Sequence, residues 1–254
     1  MTNLKTLRQK TAQEANMWQP AVFDYANKQA ATEMDNLIES GVIRCVYDSL
    51  DDQLRELVTT RQPQRKKDLT EAEIERDMAQ ILNGTSHHTY GRWVFYPWSQ
   101  ALVHVLPPAE FRELRLNRNH YKITPEEQAR LAEKTVGIVG LSVGNAVALT
   151  IAREGACGHL KLADFDELSL SNMNRIRAGV QDIGIKKTVL AARQIFELNP
   201  YARISLFSDG LSQDNMDAFL CGAPRLDILI DECDGLRMKI ALRERARVLQ
   251  ILVL

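Results

Sequence analysis

From Lys134 onward, short apolar runs alternate with longer stretches whose apolar residues recur at helical spacing. The pattern predicts strands over residues 135–140, 160–164, 203–207, 226–231 and 250–254. Between them it predicts a helix opening at Gly144, helices over 187–198 and 237–248, and a short helix before Leu226. Ahead of them, Thr124-Pro125-Glu126-Glu127 supplies an N-cap, a proline at the first helical position and a capping-box glutamate for a helix to about Glu133. The strands are almost continuously apolar, as they must be when helices cover both faces of a sheet. That predicts an α/β fold with a Rossmann-like, doubly wound parallel sheet.

The pattern before Pro107-Pro108 is different. Residues 19–40 read as a helix, 42–47 as a short β-rich run, and 50–59 as a second helix opened by Ser49, with Asp52 three residues on. The polar segment RQPQRKKD interrupts, and Thr70 with Glu73 then forms a capping box for a helix through Leu82, ended by Asn83-Gly84. Two β-rich runs follow, 92–98 and 101–106. The expectation is a small α+β domain, residues 1–112, ahead of a nucleotide-binding domain over 113–254. Trp93, Phe95, Tyr96 and Trp98 read as a hairpin packed on its neighbours rather than as a recognition face.

Composition narrows the classes. The chain has 254 residues, 45% hydrophobic and 26% charged, the range of an ordinary folded protein long enough for two domains. With 32 Lys+Arg against 33 Asp+Glu the net charge is -1, so no global field favours DNA or an acidic membrane. The basic runs 61–67 and 243–247 read as solvated linker and helix face before phosphate contacts. Four scattered cysteines without a CxxC pair indicate neither zinc nor a disulfide framework and fit a reducing, cytoplasmic setting. His87-His88 reads as surface loop. The first fifteen residues lack the apolar core of a secretory signal, and the longest apolar stretch, 136–152, is broken by Gly, Ser and Asn as a strand, turn and helix would be.

Candidate chemistry gathers at the strand ends. In VGIVGLSVGNAVAL, Gly140 closes the first strand and Gly144 opens the first helix, a turn in which backbone N–H groups can approach a phosphate; a plain βα turn also uses glycines. Asp164-Phe165-Asp166 ends the second strand, where a dinucleotide fold places its ribose-binding carboxylate. Up to this point an ATP site and the NAD site of an oxidoreductase fit equally.

Four further motifs separate them: Asn117-Arg118-Asn119, Ser171-Asn172-Met173-Asn174-Arg175, Gly184-Ile185-Lys186-Lys187 and Asp231-Glu232-Cys233-Asp234. In order and spacing the stretch from about Leu116 to Leu254 resembles the ubiquitin-activating-like (ThiF/MoeB) adenylyltransferases, with their N-R-Q, D-x-D, S-N-L-x-R, G-x-x-K and D-x-x-D motifs. The resemblance implies an ATP- and magnesium-dependent enzyme that activates a carboxylate as its acyl-adenylate. The carboxylate is a carrier-protein C-terminus, such as that of a ubiquitin-like protein, or a small-molecule or RNA-borne acid. It implies that Asp164 holds the ribose with Asp166 supporting the turn, and that Gly140, Ser142 and Gly144 line the nucleotide loop. Asn172, Arg175 and Lys187 then surround the phosphates, Asp234 positions magnesium, and Arg118 reaches the phosphates of a partner subunit in a homodimer.

Each side chain also has a plain reading. Arg175 can pair with Asp164 or Asp166, Lys186 and Lys187 can be an exposed helix start, Asp234 can be a helix cap, and Cys233 is expected to be packing. The chain departs from the family in its first turn, where Gly140-Leu141-Ser142-Val143-Gly144 is one residue shorter and poorer in glycine than G-x-G-G-L-G, and in Arg175-Ile176, where the family has R-Q. Leu254 falls inside the fifth strand, and we expect a truncated product or one piece of a longer chain. Two other functions remain open on the sequence: an NAD-dependent oxidoreductase and a non-catalytic nucleotide-binding or interaction module.

Overall fold

The computed structural model describes residues 15–254, which fall into two compact units. One comprises residues 20–122, and the other residues 123–254 together with residues 15–19.

The N-terminal unit runs β1 (Ala21–Phe23), α1 (Lys28–Glu39), β2 (Cys45–Asp48), α2 (Leu50–Arg61), α3 (Glu71–Leu82), β3 (Arg92–Tyr96), β4 (Ala101–Val105) and α4 (Pro108–Leu116), then a 3-10 turn, Asn117–Tyr121. Its sheet has the order β1-β3-β4-β2. The single helix expected over 19–40 is a strand and a helix. Ala21 to Phe23 pair antiparallel with β3, and the Asn27 side chain caps α1 by accepting from the N–H groups of Gln29 and Ala30. A strand of three residues is too short to show alternation, and Asn27 is the signal that marked the true start. At α2 the capping side chain is Asp48, which accepts from Leu50 N at 3.2 Å, while Ser49 forms no side-chain cap. Thr70 and Glu73 form their capping box, and Asn83 ends α3 in the left-handed region at φ 47°. Trp93, Phe95 and Tyr96 are buried, and Trp93 stacks on buried His104 with ring centroids 4.0 Å apart, so this part of the aromatic run is core. Helix α4 lay outside the sequence expectations.

The second unit runs α5 (Pro125–Leu131), β5 (Thr135–Val139), α6 (Gly144–Glu154), β6 (His159–Ala163), α7 (Lys187–Leu198), β7 (Ile204–Phe207), α8 (Met216–Cys221), β8 (Ile228–Asp231), α9 (Leu236–Val248) and β9 (Leu252–Val253). All strand pairs are parallel, in the order β7-β6-β5-β8-β9. The chain therefore builds outward from β5 to β7 and then restarts on the other side of β5 with β8. Helices α6 and α7 pack on one face through Ala148, Leu149, Ala191 and Ile195 against Ile138, Leu160 and Leu162. Helices α8 and α9 pack on the other through Phe219, Leu220, Leu242 and Ala246 against Val139, Ala163 and Leu229. With both faces covered, the inner strands β5, β6 and β8 have no solvent side, which is why their sequences lack alternation.

One position breaks the apolar pattern. Lys161, in the middle of β6, is only 2% exposed, and its Nζ donates to the carbonyls of Phe219 (2.9 Å) and Gly222 (2.8 Å) at the end of α8. A cation there satisfies carbonyls the helix leaves open, and burial lowers the lysine's pKa from its ordinary value. On α7, Arg193 holds the segment before the first strand, donating to Met17 O at 2.8 Å and Ala15 O at 3.2 Å, and Trp18 lies 6.0 Å from the Phe196 ring.

Candidate functional site

In an open parallel sheet, ligands bind beyond the carboxyl ends of the strands where the strand order reverses, because the two connections there leave in opposite directions. Here that point lies between β5 and β8, and the candidate residues of the second unit sit on the loops after β5, β6 and β8.

The turn after β5 requires glycine. Gly140 has φ +88°, and a Cβ there would lie 2.4 Å from the Glu232 carbonyl of the loop after β8. A Cβ on Gly144 would meet Ile138 at 2.8 Å, so α6 starts hard against the strand it follows. The turn is tied to β6 by Asp164. This carboxylate, 8% exposed, accepts from Leu141 N at 2.6 Å and from Asp166 N at 2.8 Å. The turn-supporting role expected of Asp166 thus falls to Asp164, whose inward direction from the strand end points it at the glycine turn.

Asp166 has a different partner. Its Oδ2 accepts from Lys187 Nζ at 2.6 Å, and the same ammonium donates to Ser142 Oγ at 3.1 Å. Lys187 is the first residue of α7 and is 3% exposed, so it is no exposed helix start. Lys186 turns the other way, to Asp209 (2.8 Å) and the Ser208 carbonyl (3.0 Å); this contact holds the Asp209 carboxyl below its usual range. Two lysines at a helix start oppose the helix dipole, and the compensating anions are Asp166 and Asp209 of the protein itself. The structure therefore brings Gly140, Ser142, Gly144, Asp164, Asp166 and Lys187 together.

Asn172 and Arg175 lie apart from this cluster, on a loop closed at its base by the Glu167–Lys186 bridge and pinned by Leu168 and Ile176 against Leu190. Asn172 Oδ1 accepts from Ser169 N at 3.1 Å and so caps its own turn, whereas exposed Arg175 donates to Asn174 Oδ1 at 2.9 Å. Arg175 thus bonds within its own loop rather than to the acids after β6. Asp234 is exposed on the loop between β8 and α9, and the N-cap of α9 is Gly235. Arg118 is exposed on the 3-10 turn that ends the N-terminal unit.

One role escaped the sequence reading, which quoted Asp231 only as the first residue of its motif. Asp231, the last residue of β8, has no exposed side-chain surface and accepts from Arg243 Nε at 2.9 Å and from the Cys233 thiol at 3.0 Å. It fixes the loop that carries Asp234, and it gives the first arginine of the run 243–247 a structural purpose. Burial, followed by the bond to Asp231, pushes the Cys233 thiol up to about 11, so Cys233 stays protonated at neutral pH. Among the described residues no group of three or more His, Cys, Asp or Glu is placed to hold a metal, and no helix is long and apolar enough to cross a membrane.

The sequence model of the ThiF family matches residues 115–254. An uncharacterized protein of Mycobacterium tuberculosis, MT1398, is 51% identical over 155 residues, 61% of this chain and 21% of that protein. The tRNA threonylcarbamoyladenosine dehydratase of Haemophilus influenzae is 31% identical over 121 residues, 47% of this chain and 45% of that one. Among solved structures, the tRNA N6-threonylcarbamoyladenosine dehydratase of E. coli in complex with ATP gives a TM-score of 0.52 at 26% identity, covering 56% of this chain and 58% of that one. The chain spans less than half the length of these two curated relatives.

Proposed function

Because the chain belongs to the ThiF family, matched over more than half of its residues, we propose that it is an adenylyltransferase that uses ATP to activate a carboxylate as an acyl-adenylate. The observation that carries this reading is the buried Lys187 ammonium, held between Asp166 and Ser142 beside the glycine turn. An ammonium has three protons, and these two contacts use two of them, which leaves one for a phosphate oxygen. Similarity to a dehydratase solved with ATP supports the same nucleotide.

In this reading the turn from Gly140 to Gly144 offers backbone N–H groups and the start of α6 to the phosphates. Asp164 keeps a lone pair on each carboxylate oxygen beyond the two N–H groups it already accepts, enough for a ribose hydroxyl. Lys187 faces the phosphate chain, and Asn172 and Arg175 reach it from the loop after β6. A carboxylate oxygen of the substrate bonds to the α-phosphorus as the bond from that phosphorus to the bridging oxygen breaks, and pyrophosphate leaves with the electron pair. Lys187 and Arg175 stabilise the charge that develops on the leaving group.

Exposed Asp234 fits magnesium, which needs one or two carboxylates when substrate phosphates and water complete its shell. The ion supplies charge neutralisation on the phosphates. Arg118 contacts the phosphates bound by the other subunit of a homodimer. The acid is a carrier-protein C-terminus or a small-molecule or RNA-borne carboxylate.

The test compares protection against thermal unfolding. ATP with magnesium is expected to raise the midpoint more than NAD at equal concentration, since the cations and Asp234 suit a triphosphate–metal complex. Equal or greater protection by NAD would overturn adenylation in favour of an oxidoreductase. ATP binding without pyrophosphate exchange would mark a nucleotide-binding module instead.

A further inference from the structure

The sheet of the N-terminal unit ends at β2, which pairs parallel with β4 and is the last strand on that side. An edge strand presents unpaired backbone N–H and C=O groups to any other chain, and proteins commonly blunt it with a central charge or a proline. β2 has neither. With the residue before it the run is Arg44-Cys45-Val46-Tyr47-Asp48, uncharged in the middle, and all five residues are exposed, Val46 to 59% and Tyr47 to 57%.

The core stops one strand short of this edge. Val46 is in register with Leu102 and Asp48 with His104, and both of those partners on β4 are buried. The apolar layer of Trp93, Phe95 and Leu102 therefore reaches β4 and leaves Val46 at its open rim.

The run is also complementary to itself. An antiparallel second copy with its two-fold axis at Val46 sets Val46 against Val46, Cys45 against Tyr47 and Arg44 against Asp48, and the period-two alternation keeps the members of each pair on one face. Opposite charges placed directly across two strands stabilise the pair, and both charges are available. Arg44 has no ion-pair partner among the described residues. Asp48 accepts from Leu50 N at 3.2 Å through Oδ1, which also lies 3.0 Å from His104 Nδ1, so Oδ2 remains on a side chain that is 50% exposed. Moving the axis to Cys45 or to Tyr47 would instead set a charge opposite Val46.

We propose that two copies of this chain pair antiparallel through β2 about Val46, joining two four-stranded sheets edge to edge. One patch serves both copies, so the assembly closes at two. The inference does not rest on the adenylation reading, because Lys187, Asp164 and Asp234 lie in the other unit and the pairing needs no nucleotide.

Sedimentation velocity of the full chain over a concentration series tests it, and a monomer–dimer equilibrium is expected. Val46→Asp places two carboxylates face to face on the axis, and Arg44→Glu does the same against Asp48. Each should weaken the dimer by about tenfold or more. Both side chains are exposed, so the protomer should fold in either variant. Residues directly opposite in an antiparallel pair have Cα atoms about 4.5–5.5 Å apart, within reach of a disulfide. With the exposed cysteines Cys45 and Cys221 changed to serine, Val46→Cys should form a disulfide-linked dimer under mild oxidation. Val22→Cys, exposed on the opposite edge strand β1, should cross-link far more slowly at the same concentration. A chain that stays monomeric at every concentration would overturn the proposal. So would a dimer that keeps its affinity in Val46→Asp or in Arg44→Glu, which would pair through another surface, or cross-linking no faster at residue 46 than at residue 22.

Discussion

Replacing Lys187 with alanine separates the catalytic role proposed for the buried ammonium from its structural one. The side chain is 4% exposed and donates to Asp166 at 2.6 Å and Ser142 at 3.1 Å, but the Asp166 side chain is 50% exposed. Removing one partner of a fully buried pair costs about 3–5 kcal/mol because the other charge is stranded. Here Asp166 can be rehydrated, so we expect a smaller loss of stability, about 1–2 kcal/mol. The catalytic loss is larger. A preorganised group aimed at developing charge contributes about 10²–10³ in rate, or about 2.7–4 kcal/mol. Carboxylate-dependent ATP–pyrophosphate exchange should therefore fall by at least about 100-fold while urea unfolding stays cooperative. Lys187→Arg should not restore full activity, since a planar fork cannot replace a point charge in so enclosed a site. Exchange within about threefold of the native rate in Lys187→Ala would refute the assignment.

Three further outcomes follow from the same geometry. Gly140 and Gly184 share φ +88°, but a Cβ at Gly140 meets Glu232 O at 2.4 Å and one at Gly184 meets nothing within 4 Å. Gly184→Ala should cost about 1–2 kcal/mol from backbone conformation alone, and Gly140→Ala clearly more, with weaker nucleotide binding. Equal urea midpoints for the two would contradict this. Asp231→Asn should lower stability by about 2–3 kcal/mol, since it empties a fully buried carboxylate of its charge for Arg243 and Lys239; an unchanged midpoint would be the contrary result. The folded-state pKa of Cys233 is raised from 9.0 to about 11, so the protonated thiol contributes stability that is complete below pH 9 and lost as pH rises through 11. At pH 8 Cys233 should accordingly react with iodoacetamide far more slowly than exposed Cys45, and equal rates would show that the thiol is not held by Asp231.

The second unit was legible in the sequence because its signals reinforce one another. Apolar strands such as ILID and TVGIV, a capping box at Thr124 and glycines at Gly140 and Gly144 all imply one parallel layer. The N-terminal unit was harder to read. A three-residue β1 leaves no periodicity, and α4 begins at Pro108, a residue that reads equally as a breaker or as the first position of a helix. At the site, motif order found the loops but not the bonds between them. That Asp164 would hold Leu141 N and Asp166 would hold Lys187 depends on which way each side chain leaves the end of β6, which spacing does not encode. The roles of Asp231 and Lys161 were missed for a related reason: a charge inside an apolar strand is anomalous until its partner is known, and those partners lie 12 residues away for Arg243 and 58 for Phe219.

The central claim is that a carboxylate is joined to AMP at the carboxyl ends of β5, β6 and β8, and isotopic exchange between pyrophosphate and ATP measures that step without requiring the later fate of the acyl-adenylate. Native protein supplied with magnesium, ATP, labelled pyrophosphate and a panel of peptide, small-molecule and RNA-borne carboxylates should return label to ATP only when the cognate acid is present. The same mixture with Lys187→Ala should return it at least about 100-fold more slowly. Label returned at the same rate with or without any carboxylate, or undiminished in Lys187→Ala, would contradict the account.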